Sequence, residues 1–239
     1  VGAERFYIYL TTNGYFLDQN MAHRLAQAGI DRVSVSIDGL DAKEHDSFRG
    51  KSGAFDRAIH ALKYVKEEGM EPFMNITIGH YNAFSKELEE QLAYSYENGF
   101  KSILNAAVPA RCWKNNYDIM LTEEDTKHIE QLRKKYPNMI RDIWDPFDRK
   151  QEKILGCNAG NILYITPWGD VLPCPFIHIK LGNIYEMSLE EIVNYTFSLD
   201  AFSEYSDKCL AGEDKDFVKK YMSGDISTQN PVSAAEIFR

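Results

Sequence analysis

Short apolar runs and segments of helical period alternate along the first 140 or so residues. "FYIYL" (Phe6–Leu10) leads to a predicted helix around Gln19–Ala28, closed by Gly29. "RVSVSI" (Arg32–Ile37) leads to a stronger one over Ala54–Glu68. There Phe55, Ile59, Leu62 and Val65 form one stripe and Gly69 stops the helix. "FMNITI" (Phe73–Ile78) precedes Ser85–Glu97, ended by Gly99. "SILNAAV" (Ser102–Val108) precedes Glu123–Tyr136, where Thr122 and Asp125 have the spacing of a capping pair. Strands joined through helices predict parallel pairing, so the chain reads as an α/β protein. Four βα units fit a doubly wound sheet or part of a (β/α) barrel. In either architecture ligands gather beyond the C-terminal ends of the strands. Those ends read "TTNG" (Thr11–Gly14), "SIDG" (Ser36–Gly39), "TIGH" (Thr77–His80) and "PARCW" (Pro109–Trp113). By pattern alone, TTNG and SIDG are equally well read as turns.

After Tyr136 the texture changes. A stretch rich in charge, proline and aromatics, "PNMIRDIWDPFDRKQEK", separates the repeats from a cysteine-bearing remainder, and a boundary is expected near Gln151. This divides the chain into 1–150 and 151–239. The second part opens with "GCNAGNILYITPWGDVLPCPF", a predicted hairpin turning at Gly169-Asp170 that carries Cys157 and Cys174 to the same open end. Ser188 and Glu191 then form a capping box for another helix, and Cys209 lies beyond it. Paired thiols at one end of a hairpin suit a metal or an iron–sulfur cluster. Two buried unpaired cysteines would look the same in sequence. His178, four residues after Cys174, allows a Cys3His zinc site with Cys157, Cys174 and Cys209.

Composition narrows the classes. Of 239 residues, 44% are hydrophobic and 13% aromatic, which is ample for a sizeable core. A net charge of −9 argues against partnership with nucleic acid or an anionic membrane. No apolar run approaches the ~18 residues of a membrane span, and no secretory pattern opens the chain. Four cysteines are too few for a disulfide scaffold of this length, so a reducing cytoplasm is the expected location. The chain opens on Val1 and runs almost at once into a strand, from which further residues upstream are expected.

"TTNGYFL", "VSVSIDGLDAKEHDSFRGKSGAFDRAIHAL", the Cys157-x11-Gly169-x4-Cys174 hairpin and "LGNIYEMSLEEI" occur here in one order. Together they resemble radical S-adenosylmethionine (SAM) enzymes with a C-terminal auxiliary iron–sulfur domain of the SPASM or twitch type. The resemblance spans Tyr7 to Cys209. It implies a partial (β/α) barrel whose four units correspond to the third to sixth strands of a six-stranded barrel, together with a small C-terminal β-hairpin/helix cysteine domain. It also implies that Thr12, Asn13, Ser36 and Asp38 line the SAM site. Arg49 would hold the SAM carboxylate through parallel charge-assisted bonds. Cys157, Cys174 and Cys209 would ligate an auxiliary [4Fe–4S] cluster. Its fourth ligand is unassigned: Cys112, a non-cysteine side chain or the substrate. The implied activity is cleavage of SAM to a 5′-deoxyadenosyl radical that abstracts hydrogen from a small-molecule or peptide substrate. An electron donor such as flavodoxin or ferredoxin would serve it. The family's CxxxCxxC motif, which binds the catalytic [4Fe–4S] cluster, is absent from these residues and is expected upstream. As it stands the chain is expected to be inactive, and no catalytic side chain is assigned. The alternative is a non-catalytic module that binds a peptide or nucleotide around a structural zinc.

Overall fold

The computed structural model describes residues 6–140, 156–204, 206–222 and 231–238. The chain divides into two compact units, Val1–Asn105 with Glu123–Asp142, and Ala106–Thr122 with Ile143–Arg239. The boundary expected near Gln151 lies outside the described residues.

The first unit is built on a sheet of β1 (Tyr9–Thr12), β2 (Arg32–Ser36), β3 (Glu71–Ile78) and β4 (Lys101–Ala106), in that spatial order. β1 pairs with β2, and β2 with β3, in parallel. The helices are α1 (Gln19–Gln27), α2 (Ala42–Arg49), α3 (Ala54–Glu67), α4 (Lys86–Glu97) and α5 (Glu123–Lys135). β1 lies further along than "FYIYL" suggested. Asp31 fixes its start, accepting the Ile8 N–H on its carboxylate at 2.7 Å, and pairing then runs Tyr9↔Arg32. The alternation of β2 separates two chemistries. Val33 and Val35 are fully buried, sharing a sheet face with Met74 and Ile76, and α3 packs on these strands through Ala58, Leu62 and Val65. Arg32, Ser34 and Ser36 stand on the other face, in register with Glu71, Phe73 and Asn75. Asn75 is bonded in turn by the Asn105 amide.

α2 is absent from the apolar periodicity because His45 is its one buried side chain. Its start is nonetheless written as Asp41-x-x-Glu44, the Asp41 carboxylate accepting from the Glu44 N–H at 2.8 Å. α3 begins at Gly53 without a cap of its own. Asp46 of α2 supplies one, accepting from the Gly53 and Phe55 N–H groups at 2.6 and 2.8 Å. These bonds, the Phe55 contribution first, hold the Asp46 carboxyl below its ordinary range.

The second unit holds the expected hairpin. β5 (Tyr164–Ile165) pairs antiparallel with β6 (Asp170–Leu172). The turn between them occupies Thr166–Gly169, one step earlier than expected, because the Thr166 hydroxyl accepts from both Trp168 and Asp170 N–H groups. β7 (Ile179–Lys180) and β8 (Gly182–Asn183) come next, β8 pairing with β6. α6 (Leu189–Ser198) starts at the Ser188–Glu191 capping box with both reciprocal bonds formed. α7 (Lys215–Tyr221) was not foreseen; Asp214 caps it. β9 (Val232–Ser233) pairs with β7 and leads to α8 (Ala234–Ile237). The core joins Val171, Ile177, Ile179, Leu181 and Ile192 to an aromatic group of Phe202, Phe217 and Phe238.

Candidate functional site

At the C-terminal end of β1, Thr12 and Asn13 shape a turn. The Thr12 hydroxyl accepts from Gly14 N–H at 3.1 Å and the Asn13 side-chain Oδ1 from Tyr15 N–H at 3.0 Å. Gly14 has φ +73, and a Cβ there would lie 2.9 Å from Val35 Cγ1 and 3.0 Å from Ala58 Cα. Only glycine lets this turn close against β2 and α3. Thr12 shares the helix-packed face with Val35, whereas Ser36 stands on the opposite, more polar face.

Asp38 and Arg49 come together although eleven positions separate them. α2 folds back so that Arg49 Nε and Nη2 both bond Asp38 Oδ2, at 2.6 and 2.5 Å. The Asp38 side chain is only 4% exposed. Its other oxygen, Oδ1, is buried without a hydrogen-bond partner, which is costly unless a ligand meets it. The Asp38 N–H donates to His45 Nδ1 at 3.1 Å, and burial lowers the His45 pKa, so the ring stays a neutral acceptor. Asn13, Tyr15, Phe16, His45, Arg49, Lys51 and Ala54 line a cavity of about 400 Å³. Arg57 and Lys51 both lie over the Tyr15 ring, so three cations edge this region. A cationic, partly aromatic cavity of that size suits a ligand with a carboxylate and a planar base.

The β3 end holds a feature that sequence reasoning missed. His80 Nδ1 pairs with both carboxylate oxygens of Asp125, at 2.9 and 3.2 Å, and Asp125 is fully buried on α5. A buried carboxylate on Nδ1 fixes the tautomer and suits Nε2 for proton transfer. The two residues lie 45 positions apart, so no local spacing announced them. The phenol of Tyr81 is pushed up to about 12, first by burial around its hydroxyl and then by the Asp38 carboxylate, which sets the β3 loop beside the end of β2.

In the second unit Cys157, Cys174 and Cys209 gather. Cys157 Sγ accepts from Ala159 N–H at 3.4 Å and Cys174 Sγ from Phe176 N–H at 3.3 Å. Gly160 N–H bonds the Pro173 carbonyl, which closes the hairpin end between the first two cysteines. Burial is the leading cause that pushes all three thiols up, Cys174 to about 12. Cys209 also feels the charges of both other cysteines. Thiols so desolvated ionise when a metal centre compensates their charge. Among the described residues no set of three or more His, Cys, Asp or Glu closes on a point that one ion could occupy. His178 Nε2 is engaged by the Pro175 carbonyl at 3.1 Å. The Cys3His zinc arrangement is therefore not formed. Cys112 is exposed on a 3-10 turn, Arg111–Trp113.

A βα sheet with a ligand cavity at its strand ends, joined in one chain to a gathered-thiol hairpin, defines a two-part cofactor protein. Residues 2–93 match the radical SAM superfamily, and residues 157–211 match SPASM, an iron–sulfur cluster-binding domain. Residues 2–93 are thus a radical SAM domain and residues 157–211 a SPASM iron–sulfur domain, and the cofactors such domains take are SAM and [4Fe–4S] clusters. The chain is 24% identical over 241 residues to the AdoMet-dependent heme synthase of Nitratidesulfovibrio vulgaris, covering 84% of this chain and 62% of that one. It is 26% identical over 201 residues to the PqqA peptide cyclase of Granulibacter bethesdensis, covering 79% and 53%. Among solved structures, native anSMEcpe with bound AdoMet and the Kp18Cys peptide superposes with a TM-score of 0.55. There identity is 20%, over 98% of this chain and 69% of that one. The fold is that of a partial (β/α) barrel with a small C-terminal domain. The chain spans about three-fifths or less of the curated relatives. No helix among the described residues is long and apolar enough to cross a membrane.

The residues present would fit such groups: the cationic cavity, with the orphaned Asp38 oxygen on the ion pair of its Arg49, would suit SAM, and the desolvated thiols would suit a cluster.

Proposed function

We propose that this chain belongs to a radical SAM oxidoreductase that modifies a peptide and carries an auxiliary [4Fe–4S] cluster. The observation that carries the reading is the gathering of three desolvated thiols, two of them accepting backbone N–H bonds, inside the segment that matches a cluster-binding domain. SAM with a reduced catalytic cluster supplies a 5′-deoxyadenosyl radical that takes a hydrogen atom from the substrate. The chain's own residues bind and orient. Arg49, steadied by Asp38, offers its remaining N–H groups to the SAM carboxylate; Asn13 lines the same cavity, and Ser36 offers its hydroxyl from the end of β2, outside that lining. Thr12 holds the turn that carries Asn13. Cys157, Cys174 and Cys209 would ligate the auxiliary cluster, which would supply a substrate anchor or an electron acceptor. A flavodoxin- or ferredoxin-type donor in the cytoplasm completes the system.

A peptide substrate is supported by the peptide cyclase among the relatives and by the peptide-bound structural neighbour. A small molecule is the second reading, favoured by the similarity to the heme synthase. The test is anaerobic reconstitution of the full-length protein beside its Cys174→Ala variant. The variant is expected to lose the iron and visible absorbance of one cluster. Unchanged iron overturns the assignment.

A further inference from the structure

The cluster site holds three gathered thiols, and the remaining cysteine, Cys112, is exposed. Glu213 lies beside them. The Cys209 carbonyl accepts from the N–H groups of Gly212, Glu213 and Asp214 at 3.2, 2.8 and 3.3 Å, which folds the chain straight back onto the cysteine. In that turn Glu213 Oε2 accepts from Cys209 N–H at 2.7 Å. Gly212 allows the close passage, since a Cβ there would lie 2.5 Å from Ala106 Cβ and 3.5 Å from Cys209 Sγ. The turn therefore holds the Glu213 carboxylate against the Cys209 backbone. After burial, its charge adds to what raises the thiols of Cys157 and Cys209. A carboxylate that accepts one N–H keeps ligating capacity, because each oxygen carries two lone pairs.

We propose that Glu213 supplies the fourth protein ligand of the auxiliary cluster, a carboxylate oxygen beside the thiolates of Cys157, Cys174 and Cys209. The proposal rests on the cluster reading given under the proposed function. An oxygen ligand makes one iron unlike the other three, and replacing thiolate by a non-thiolate donor is a known lever on cluster potential. It also leaves that iron the easiest to lose or exchange.

The test uses the full-length protein, reconstituted anaerobically, with Glu213→Ala, Glu213→Gln and Glu213→Cys. Iron content, the EPR spectrum before and after mild oxidation, and the midpoint potential of the auxiliary cluster are measured. Glu213→Ala and Glu213→Gln are expected to shed one iron on mild oxidation and show the signal of a [3Fe–4S] cluster. Glu213→Cys is expected to keep all the iron and shift the one-electron equilibrium at least tenfold, ~59 mV. Glu213→Gln can still accept the Cys209 N–H, so behaviour like the wild type would reduce Glu213 to a hydrogen-bond acceptor and overturn the proposal. Should Glu213→Ala fail to fold, the Gln and Cys variants decide. A wild type with the iron of only one cluster would fail the cluster reading itself, and the Glu213 assignment with it.

Discussion

Replacing Gly14 by alanine tests whether the turn after β1 is closed by sterics. Two costs apply. A non-glycine residue at φ +73 pays the left-handed penalty, about 1–2 kcal/mol. The new Cβ would also meet Val35 Cγ1 at 2.9 Å, Ala58 Cα at 3.0 Å and Ala61 Cβ at 3.2 Å. One of these is helix backbone, which does not yield cheaply, and overpacking of this kind costs about 1–3 kcal/mol. The expected loss is therefore about 2–5 kcal/mol. Gly69 provides the control: its φ is +79, but an added Cβ would meet nothing within 4 Å. Gly69→Ala should cost only the left-handed term, about 1–2 kcal/mol. The gain from a stiffer unfolded chain is common to both and cancels. Urea unfolding monitored by circular dichroism measures each loss. Equal losses at the two positions would refute the argument that Gly14 is required by close approach.

Arg49→Lys should weaken SAM binding by the loss of a charge-assisted hydrogen bond, about 1.5–3 kcal/mol, or roughly ten- to hundredfold by calorimetric titration. Asp38→Asn should act in the same direction through Arg49. The double variant should then cost less than the two losses added, and strict additivity would sever the pair. Burial lowers the His45 pKa below its ordinary value of about 6.5. The unfolded chain thus takes up the proton first, so stability is full above that value and declines as pH falls from it toward the folded-state pKa. His45→Gln should remove that part of the slope in urea midpoints between neutral and mildly acidic pH, and an unchanged slope would exonerate His45.

The strands were legible because β2 and β3 spell buried apolar alternation, and the glycines at 29, 69 and 99 end their helices as expected. α2 was not, because a helix that buries one histidine leaves no stripe, although its Asp41 cap and closing Gly50 were in plain sight. α7 was hidden likewise in a charged tail, marked only by Asp214. The polar turns at the strand ends could be read from position, and the approach of Cys174 to Cys157 from the hairpin spacing. The Asp38–Arg49 pair, the His80–Asp125 pair and the return of Glu213 onto Cys209 depend on how elements fold back, which no local pattern encodes.

Asp46 has a further consequence. By capping α3 from α2, it ties the first turn of one helix to the middle of the other. Arg49, Lys51 and Ala54, which all line the cavity, are then carried by a single stiff piece of chain. Little conformational freedom remains for a ligand to remove on arrival, so the entropic toll of ordering the pocket falls on folding and not on binding.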